Sequence, residues 1–218
     1  MPEYITLSLF IIGAYLLGSI PTAVWVGKIF FKMDVRDHGS GNAGATNVLR
    51  TFGTAAAIPV FLIDGAKGYG AVMLSWFTPL APVGDADPSE WFMVLRIGLM
   101  VAAILGHIFP VFASFRGGKG VATIAGALIA VAPIPLCGSF AMFVLFWSLT
   151  SYLSLGSIMS GVTFPLWMFL YYIIIGEEVS LAMMIFSVVV GGVLVNTHKA
   201  NIARLRAGTE SKTYLFRK

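Results

Sequence analysis

"VATIAGALIAVAPIPLCGSFAMFVLFWSLT", residues 121–150, carries no charged residue and is interrupted only by Pro133-Ile134-Pro135. Whether this stretch crosses a membrane once or twice decides the side on which every later residue lies. Five other long apolar runs surround it, at about 5–26, 54–77, 91–113, 156–175 and 181–196. The 218-residue chain is 58% hydrophobic and 11% charged, with a mean hydropathy of +0.88. Soluble domains hold about 25% charged residues, so this chain lacks the means to cover a water-facing surface. The runs lack the alternation of a strand, which makes them membrane helices rather than a barrel. The single cysteine, Cys137, excludes an internal disulfide. With no basic start and no evident cleavage site, the N-terminus reads as a retained first span.

Charge resolves the question that 121–150 poses. Lys28, Lys32, Arg36 and Arg50 follow the first span, so that loop is cytoplasmic by the positive-inside rule. The next loop holds Asp85, Asp87 and Glu90 without a lysine or arginine, as an outside loop can. Arg116 and Lys119 put the third loop inside again. The tail, with Lys199, Arg204, Arg206, Lys212, Arg217 and Lys218, should also be inside. That parity requires 121–150 to go out and come back. Each half is then about 14 residues, roughly 20 Å of helix. The expectation is two short spans hinged at the prolines, with a re-entrant hairpin as the variant. The fold class is thus an all-α integral membrane protein with seven membrane helices, the N-terminus outside and the C-terminus cytoplasmic. Residues 1–218 read as a single polytopic domain. Small residues at Gly65/Gly68, Ser157/Gly161 and Gly191/Gly192 should allow close helix packing.

Three polar segments, 32–53, 114–120 and 196–218, then share the cytoplasmic face. The first contains "GSGNAGATNVLR", residues 39–50. Its glycines free the backbone so that successive N–H groups can point at one anion. Ser40, Asn42, Thr46 and Asn47 add neutral donors, and Arg50 offers a fork suited to phosphate. The alternative, a flexible connector with Arg50 as a topology anchor, rarely needs small residues together with amides. No GK[ST] follows, so it is not a Walker loop. The second segment, "GHIFPVFASFRGGKGVAT" at 106–123, sets Gly117, Gly118 and Gly120 around Lys119 just before a helix. Amides at a helix start beside an ammonium suggest a second anion site; a tight turn with snorkelling cations is the plainer reading. His107, on an apolar segment, reads as a structural hydrogen-bonder. In the third, "NTHKANIARLRAGTE" at 196–210, His198 and Asn201 share a helix face that Arg204 continues. A basic helix end touching lipid headgroups explains the cations but not His198 or Asn201. Asp64 and Lys67 lie three apart within the second span, as a packing ion pair or a transport gate.

These segments, with "GSIPT" and "DGAKG", resemble the signatures of the PlsY family over about residues 10–210. Its members are bacterial inner-membrane glycerol-3-phosphate acyltransferases that take acyl phosphate as donor. The resemblance implies a seven-helix fold with its site at the cytoplasmic face. It also implies acyl transfer to the 1-hydroxyl of sn-glycerol 3-phosphate, giving lysophosphatidic acid and phosphate in the first acylation of phospholipid synthesis. By resemblance, Ser40, Arg50, Lys119, His198 and Asn201 match active-site positions. The stretch Gly41–Asn47, with Gly41, Asn42, Gly44, Ala45, Thr46 and Asn47, matches the donor-phosphate cradle. Gly117, Gly118 and Gly120 complete the substrate-binding set around Lys119. The catalytic set is His198, Asn201, Lys119 and Arg50. His198 serves either as general base or to orient the hydroxyl, a substrate phosphate being the other proton acceptor. No aspartate lies five positions after His38, His107 or His198, so the box of thioester-using acyltransferases is absent. No cofactor, metal or nucleic acid is expected; the partners are the two substrates and the lipid bilayer, and the chain should work as a monomer. A transporter of phosphorylated solutes, gated by Asp64 and Lys67, is the rival reading; a lipid-binding scaffold is a weaker third.

Overall fold

The structure, a computed structural model, describes residues 3–84, 89–176 and 180–214. Asp85, Asp87, Arg217 and Lys218, four of the charges used to assign loop sides, lie outside the described residues. Ten α-helices and no strand occur among the described residues. They group into two compact units, Met1–Val131 and Ala132–Lys218.

The first unit holds α1 (Glu3–Gly18), α2 (Thr22–Phe30), α3 (Ala45–Phe52), α4 (Thr54–Met73), α5 (Glu90–Ile108) and α6 (Val121–Val131). The run expected as one span at 5–26 is broken: α1 and α2 meet at 40° across Ser19-Ile20-Pro21. Pro21 supplies no N–H and its ring crowds the preceding turn, so the first helix ends at Gly18. α4 is the central helix, packed against α1, α2, α3, α5 and α6. It crosses α6 at very short range. A Cβ on Gly68 would overlap the Thr123 carbonyl, and one on Gly126 would overlap the Gly65 carbonyl. Beneath the loop that precedes α3, Val24, Val35, Val48 and Val60 form a buried apolar floor with Ala23, Ala43, Ala56 and Ala57.

The second unit holds α7 (Pro133–Thr150), α8 (Leu153–Ile175), α9 (Leu181–Thr197) and α10 (Lys199–Arg206). α8 packs between α7 and α9. Gly138 faces the Trp167 ring, and Gly161 receives Leu194. Gly191 lies on the Gly161 carbonyl, whereas Gly192 faces open space, so only one of that expected pair serves packing. α9 and α10 meet at 57°. The tail is pinned at 213: Trp147 Nε1 donates to the Thr213 carbonyl (2.6 Å), and Thr213 N–H donates to the Ser151 carbonyl (2.7 Å).

Among the described residues, four helical segments are long and apolar enough to cross a membrane: Thr54–Phe77, Glu90–Ala113, Pro133–Thr150 and Leu153–Ile175. Counting each bent pair as one span raises this to six. Only 11% of Pro133–Thr150 is buried by protein, which fits an apolar helix covered by lipid. The stretch 121–150 divides unequally, into 11 and 18 residues, rather than into matching halves. The break falls at Ala132, because Pro133 stands in the first turn of α7, where a missing N–H costs nothing. α6 rises only about 17 Å, short of the roughly 30 Å of hydrocarbon. Its last turn is met by Arg96 of α5, whose guanidinium donates to the Ala130 carbonyl.

The α4–α6 crossing makes a contrast between two glycines. Gly126→Ala forces a methyl onto backbone and should destabilise by about 1–3 kcal/mol. Gly192→Ala, with nothing within 4 Å, should be neutral or gain up to about 1 kcal/mol of helix propensity. Thermal unfolding of both variants in detergent checks this; equal midpoints would contradict the close crossing.

Candidate active site

The loop from Asp34 to α3 is built around one buried amide. Asn47, 1% exposed in the first turn of α3, accepts the Ser40 N–H through Oδ1 (2.8 Å). Its Nδ2 donates to the carbonyls of Val35 (2.8 Å) and His38 (3.0 Å). Gly39 adopts φ +57, and a Cβ there would overlap Asn47 Oδ1. Asn47 therefore shapes the loop from inside. The amides of Ser40 and Gly41 are also engaged, the latter with the His38 carbonyl (3.0 Å). The α3 ladder begins with Asn47 and Val48 donating to the Gly44 carbonyl. By helix geometry, amides left for an anion lie upstream, over Asn42, Gly44, Ala45 and Thr46. Ser40 and Thr46 are exposed, and Arg50 is half-buried one turn after Thr46 on the same face of α3.

The second segment folds back along the end of α5. Pro110 accepts from Ala113 and Phe115, then Gly117 N–H donates to Ile108 O (3.2 Å) and Gly118 N–H to His107 O (3.1 Å). Those two amides are engaged by backbone carbonyls of α5. Neither residue has room for a side chain. A Cβ on Gly118 would overlap His107 Nε2 and stand 2.9 Å from the Ala43 carbonyl oxygen, which places this turn against the first loop. Gly120 takes φ +84 and turns the chain into α6, leaving the half-buried Lys119 at the helix start.

Arg36 joins the two loops. Its guanidinium grips Asp34 with two bonds (2.9 and 2.7 Å) and donates to the carbonyls of Ala113 (2.9 Å) and Arg116 (3.3 Å). Hydrogen bonding by Arg36 holds the Asp34 carboxyl far below the ordinary carboxylate range, and Asp34 raises Arg36 in return.

Beneath the loops lies a polar cluster that the sequence showed only in part. Asp64 and Lys67 form an ion pair (2.9 Å), 1% and 4% exposed. Lys67 also donates to the Ile20 carbonyl (2.8 Å), and Thr22 Oγ1 donates to Asp64 (3.0 Å). His107 Nδ1 lies 3.7 Å from Asp64 and 3.1 Å from Thr123 Oγ1. The pair thus fastens the break between α1 and α2. Asp64, Lys67 and His107 line a small recess with Ala43, Gly117 and Gly118.

In the second unit, His198 is the corner between α9 and α10, 2% exposed. Its Nδ1 lies 2.8 Å from the Leu194 carbonyl. A carbonyl only accepts, so Nδ1 carries the proton, and in the neutral ring Nε2 keeps its lone pair. One turn on, Asn201 Nδ2 donates to Glu210 Oε1 (2.8 Å). Glu210 also accepts from Ser154 (3.0 Å) and Arg204 (2.7 Å). Glu210 and Ser154 were missed as positioning groups, although "NIARLRAGTE" ends its run of cations in a lone carboxylate. Among the described residues no cluster of His, Cys, Asp or Glu suits a metal ion.

A family model described as glycerol-3-phosphate acyltransferase matches residues 8–208. The chain belongs to the glycerol-3-phosphate acyltransferase family. A relative from Trichlorobacter lovleyi named glycerol-3-phosphate acyltransferase is 44% identical, covering 93% of this chain and 95% of its own. One from Chlorobaculum tepidum, with the same name, is 38% identical over 95% and 97%. Two solved structures of PlsY, an integral membrane glycerol 3-phosphate acyltransferase, are similar at 33% identity, each covering 95% of both chains. The glycerol 3-phosphate form gives a TM-score of 0.79 and the lysophosphatidic acid form 0.75.

Burial alone raises the Glu210 pKa, but hydrogen bonds from Arg204, Asn201 and Ser154 outweigh it and leave the group below its ordinary 4.5. A depressed carboxylate contributes stability above the unfolded value and loses it as pH falls through the folded one. Glu210→Gln should lower stability at pH 7 by about 1.5–3 kcal/mol, the worth of a charged hydrogen bond. It should also flatten the wild-type decline below pH 4.5. Thermal midpoints of both proteins between pH 7 and 3.5 test this; parallel curves would contradict the assignment.

Proposed function

We propose that the protein transfers a fatty acyl group from acyl phosphate to the 1-hydroxyl of sn-glycerol 3-phosphate, releasing lysophosphatidic acid and inorganic phosphate. The observation that carries the reading is the contact between two anion-suited segments, the loop ending in Arg50 and the turn bearing Lys119. A substrate pair with two phosphate groups needs such a double site. The names of the relatives and of the PlsY structures support glycerol 3-phosphate as the acceptor.

In this proposal the amides over Asn42–Thr46 bind the donor phosphate and polarise its acyl carbonyl. Arg50, Lys119 and Ser40 hold the phosphate of glycerol 3-phosphate, and His198 and Asn201 orient its hydroxyl. The hydroxyl oxygen attacks the acyl carbon, the carbon–oxygen bond to phosphate breaks, and the electron pair leaves with the phosphate. The hydroxyl proton passes to a substrate phosphate, whose second pKa is near 6 as in phosphate monoesters. An acyl phosphate is already activated, so positioning and charge stabilisation suffice. The protein acts without cofactor, as a monomer spanning the bacterial inner membrane seven times as one domain, its site on the cytoplasmic side. Its flanking cations support that orientation.

The direct test gives purified protein long-chain acyl phosphate with glycerol 3-phosphate, and acyl-CoA in a parallel sample. Lysophosphatidate with equimolar phosphate from the first, and none from the second, is expected. Product from acyl-CoA at a comparable rate would overturn the donor assignment. For the proton, His198→Gln keeps an acceptor near the Nε2 position. It should retain activity within about tenfold of wild type, while His198→Ala falls a hundredfold or more. Equal loss in both would make His198 the base.

A further inference from the structure

Ser114 and Phe115 both lie in the left-handed region, at φ 55 and 57. For a non-glycine residue this is uncommon, and for a bulky ring it is strained. Such strain persists only where surrounding structure over-determines it, and it concentrates at functional sites. Here the strained pair reverses the chain between α5 and the Gly117–Gly118 return. The turn is held from both ends by one side chain: Arg36 donates to the carbonyl before the pair, Ala113, and to the one after it, Arg116. Arg36 is itself fixed by the Asp34 fork, with both side chains about nine-tenths shielded (13% and 14% exposed). Asp34 also accepts the Arg36 backbone N–H (3.0 Å), which stiffens the short turn at 35–37. That turn supplies the Val35 carbonyl to Asn47, the organiser of the first anion loop.

We infer that Arg36 is a positioning residue for the acyltransfer site, a strut that holds the strained 114–115 turn and thereby sets Lys119 against the 39–47 loop. The inference rests on Lys119 serving the phosphate of glycerol 3-phosphate, as proposed above. Arg36 touches no substrate. Its effect passes through the backbone of 113–118, which leads directly into Lys119. A lysine cannot replace it, because one ammonium cannot grip a carboxylate bidentately while reaching two carbonyls.

The test is a kinetic cycle on the purified full chain with acyl phosphate and glycerol 3-phosphate. Arg36→Gln should raise KM for glycerol 3-phosphate about tenfold or more, with a smaller change in kcat, as misplacement of a binding group does. In a Lys119→Met background the same change should add less than about twofold, because the strut acts through that lysine. Ser114→Gly with Phe115→Gly, which removes the strain, should reverse most of the KM rise caused by Arg36→Gln. An unchanged KM in folded Arg36→Gln, or effects of Arg36→Gln and Lys119→Met that multiply, overturns the inference. If Lys119→Met alone leaves KM unchanged, the phosphate assignment of Lys119 fails first and takes the strut with it. Where Arg36→Gln does not fold, Phe115→Ile strains the turn with the ion pair intact. It should raise the same KM, and a wild-type KM there overturns the inference.

Discussion

The buried Asp64–Lys67 pair is the interaction on which the first unit depends. An ionised group in a membrane-spanning helix is costly unless paired and hydrogen-bonded. Here each member is satisfied by what Pro21 disrupts. The break turns the Ile20 carbonyl out of the helix, where it accepts from Lys67 as well as from the Thr22 N–H, and brings Thr22 Oγ1 to Asp64. His107 adds a contact from α5 and ties it through Thr123 to α6. One charge pair thus joins the first span, α4, α5 and the head of α6, directly below the loops that bear Arg50 and Lys119. This inward satisfaction fits a lock on helix packing better than a gate.

Above that lock, the two loops proposed to bind phosphate are held by bonds within the protein. Their glycines do different jobs. Gly39 and Gly120 turn the chain where positive φ is required, while Gly117 and Gly118 let backbone press on backbone. Internal bonds from Asn47, Arg36 and the α5 carbonyls fix the loops. Rigid, preplaced donors are what charge stabilisation in acyl transfer demands, because no reorganisation is then needed as charge develops. In the second unit, the Leu194 carbonyl fixes the tautomer of His198 and Glu210 fixes the amide of Asn201.

Much of this was legible in the sequence, and the parts that were not have physical reasons. Apolar runs without alternation gave helices, and the helix packing at Gly68 and Gly161 followed from their small size. Which segments carry Arg50, Lys119, His198 and Asn201 was also readable, since polar islands stand out in an apolar chain. The break at Pro21 was visible as a proline but not as a 40° bend, because the side chain that donates to the Ile20 carbonyl lies far along the chain, at Lys67. The unequal division of 121–150 escaped because prolines tolerated at a helix start look the same as prolines that end one. The Asn47 side-chain amide and the Gly117 and Gly118 N–H groups are engaged within the protein, which their place in polar loops did not reveal. Composition counts donors but does not say whether they face a ligand or their own backbone. Glu210 was hidden for a similar reason, its partners being spread from Ser154 to Arg204.

The account holds that the site positions an activated donor for direct attack, with no acyl group resting on the protein. A single-turnover experiment with acyl-labelled acyl phosphate, first without and then with glycerol 3-phosphate, examines that most directly. The account predicts no phosphate release and no label on protein until the acceptor is added, then one phosphate per lysophosphatidate formed. A burst of phosphate with label retained on the denatured chain before the acceptor arrives would contradict it.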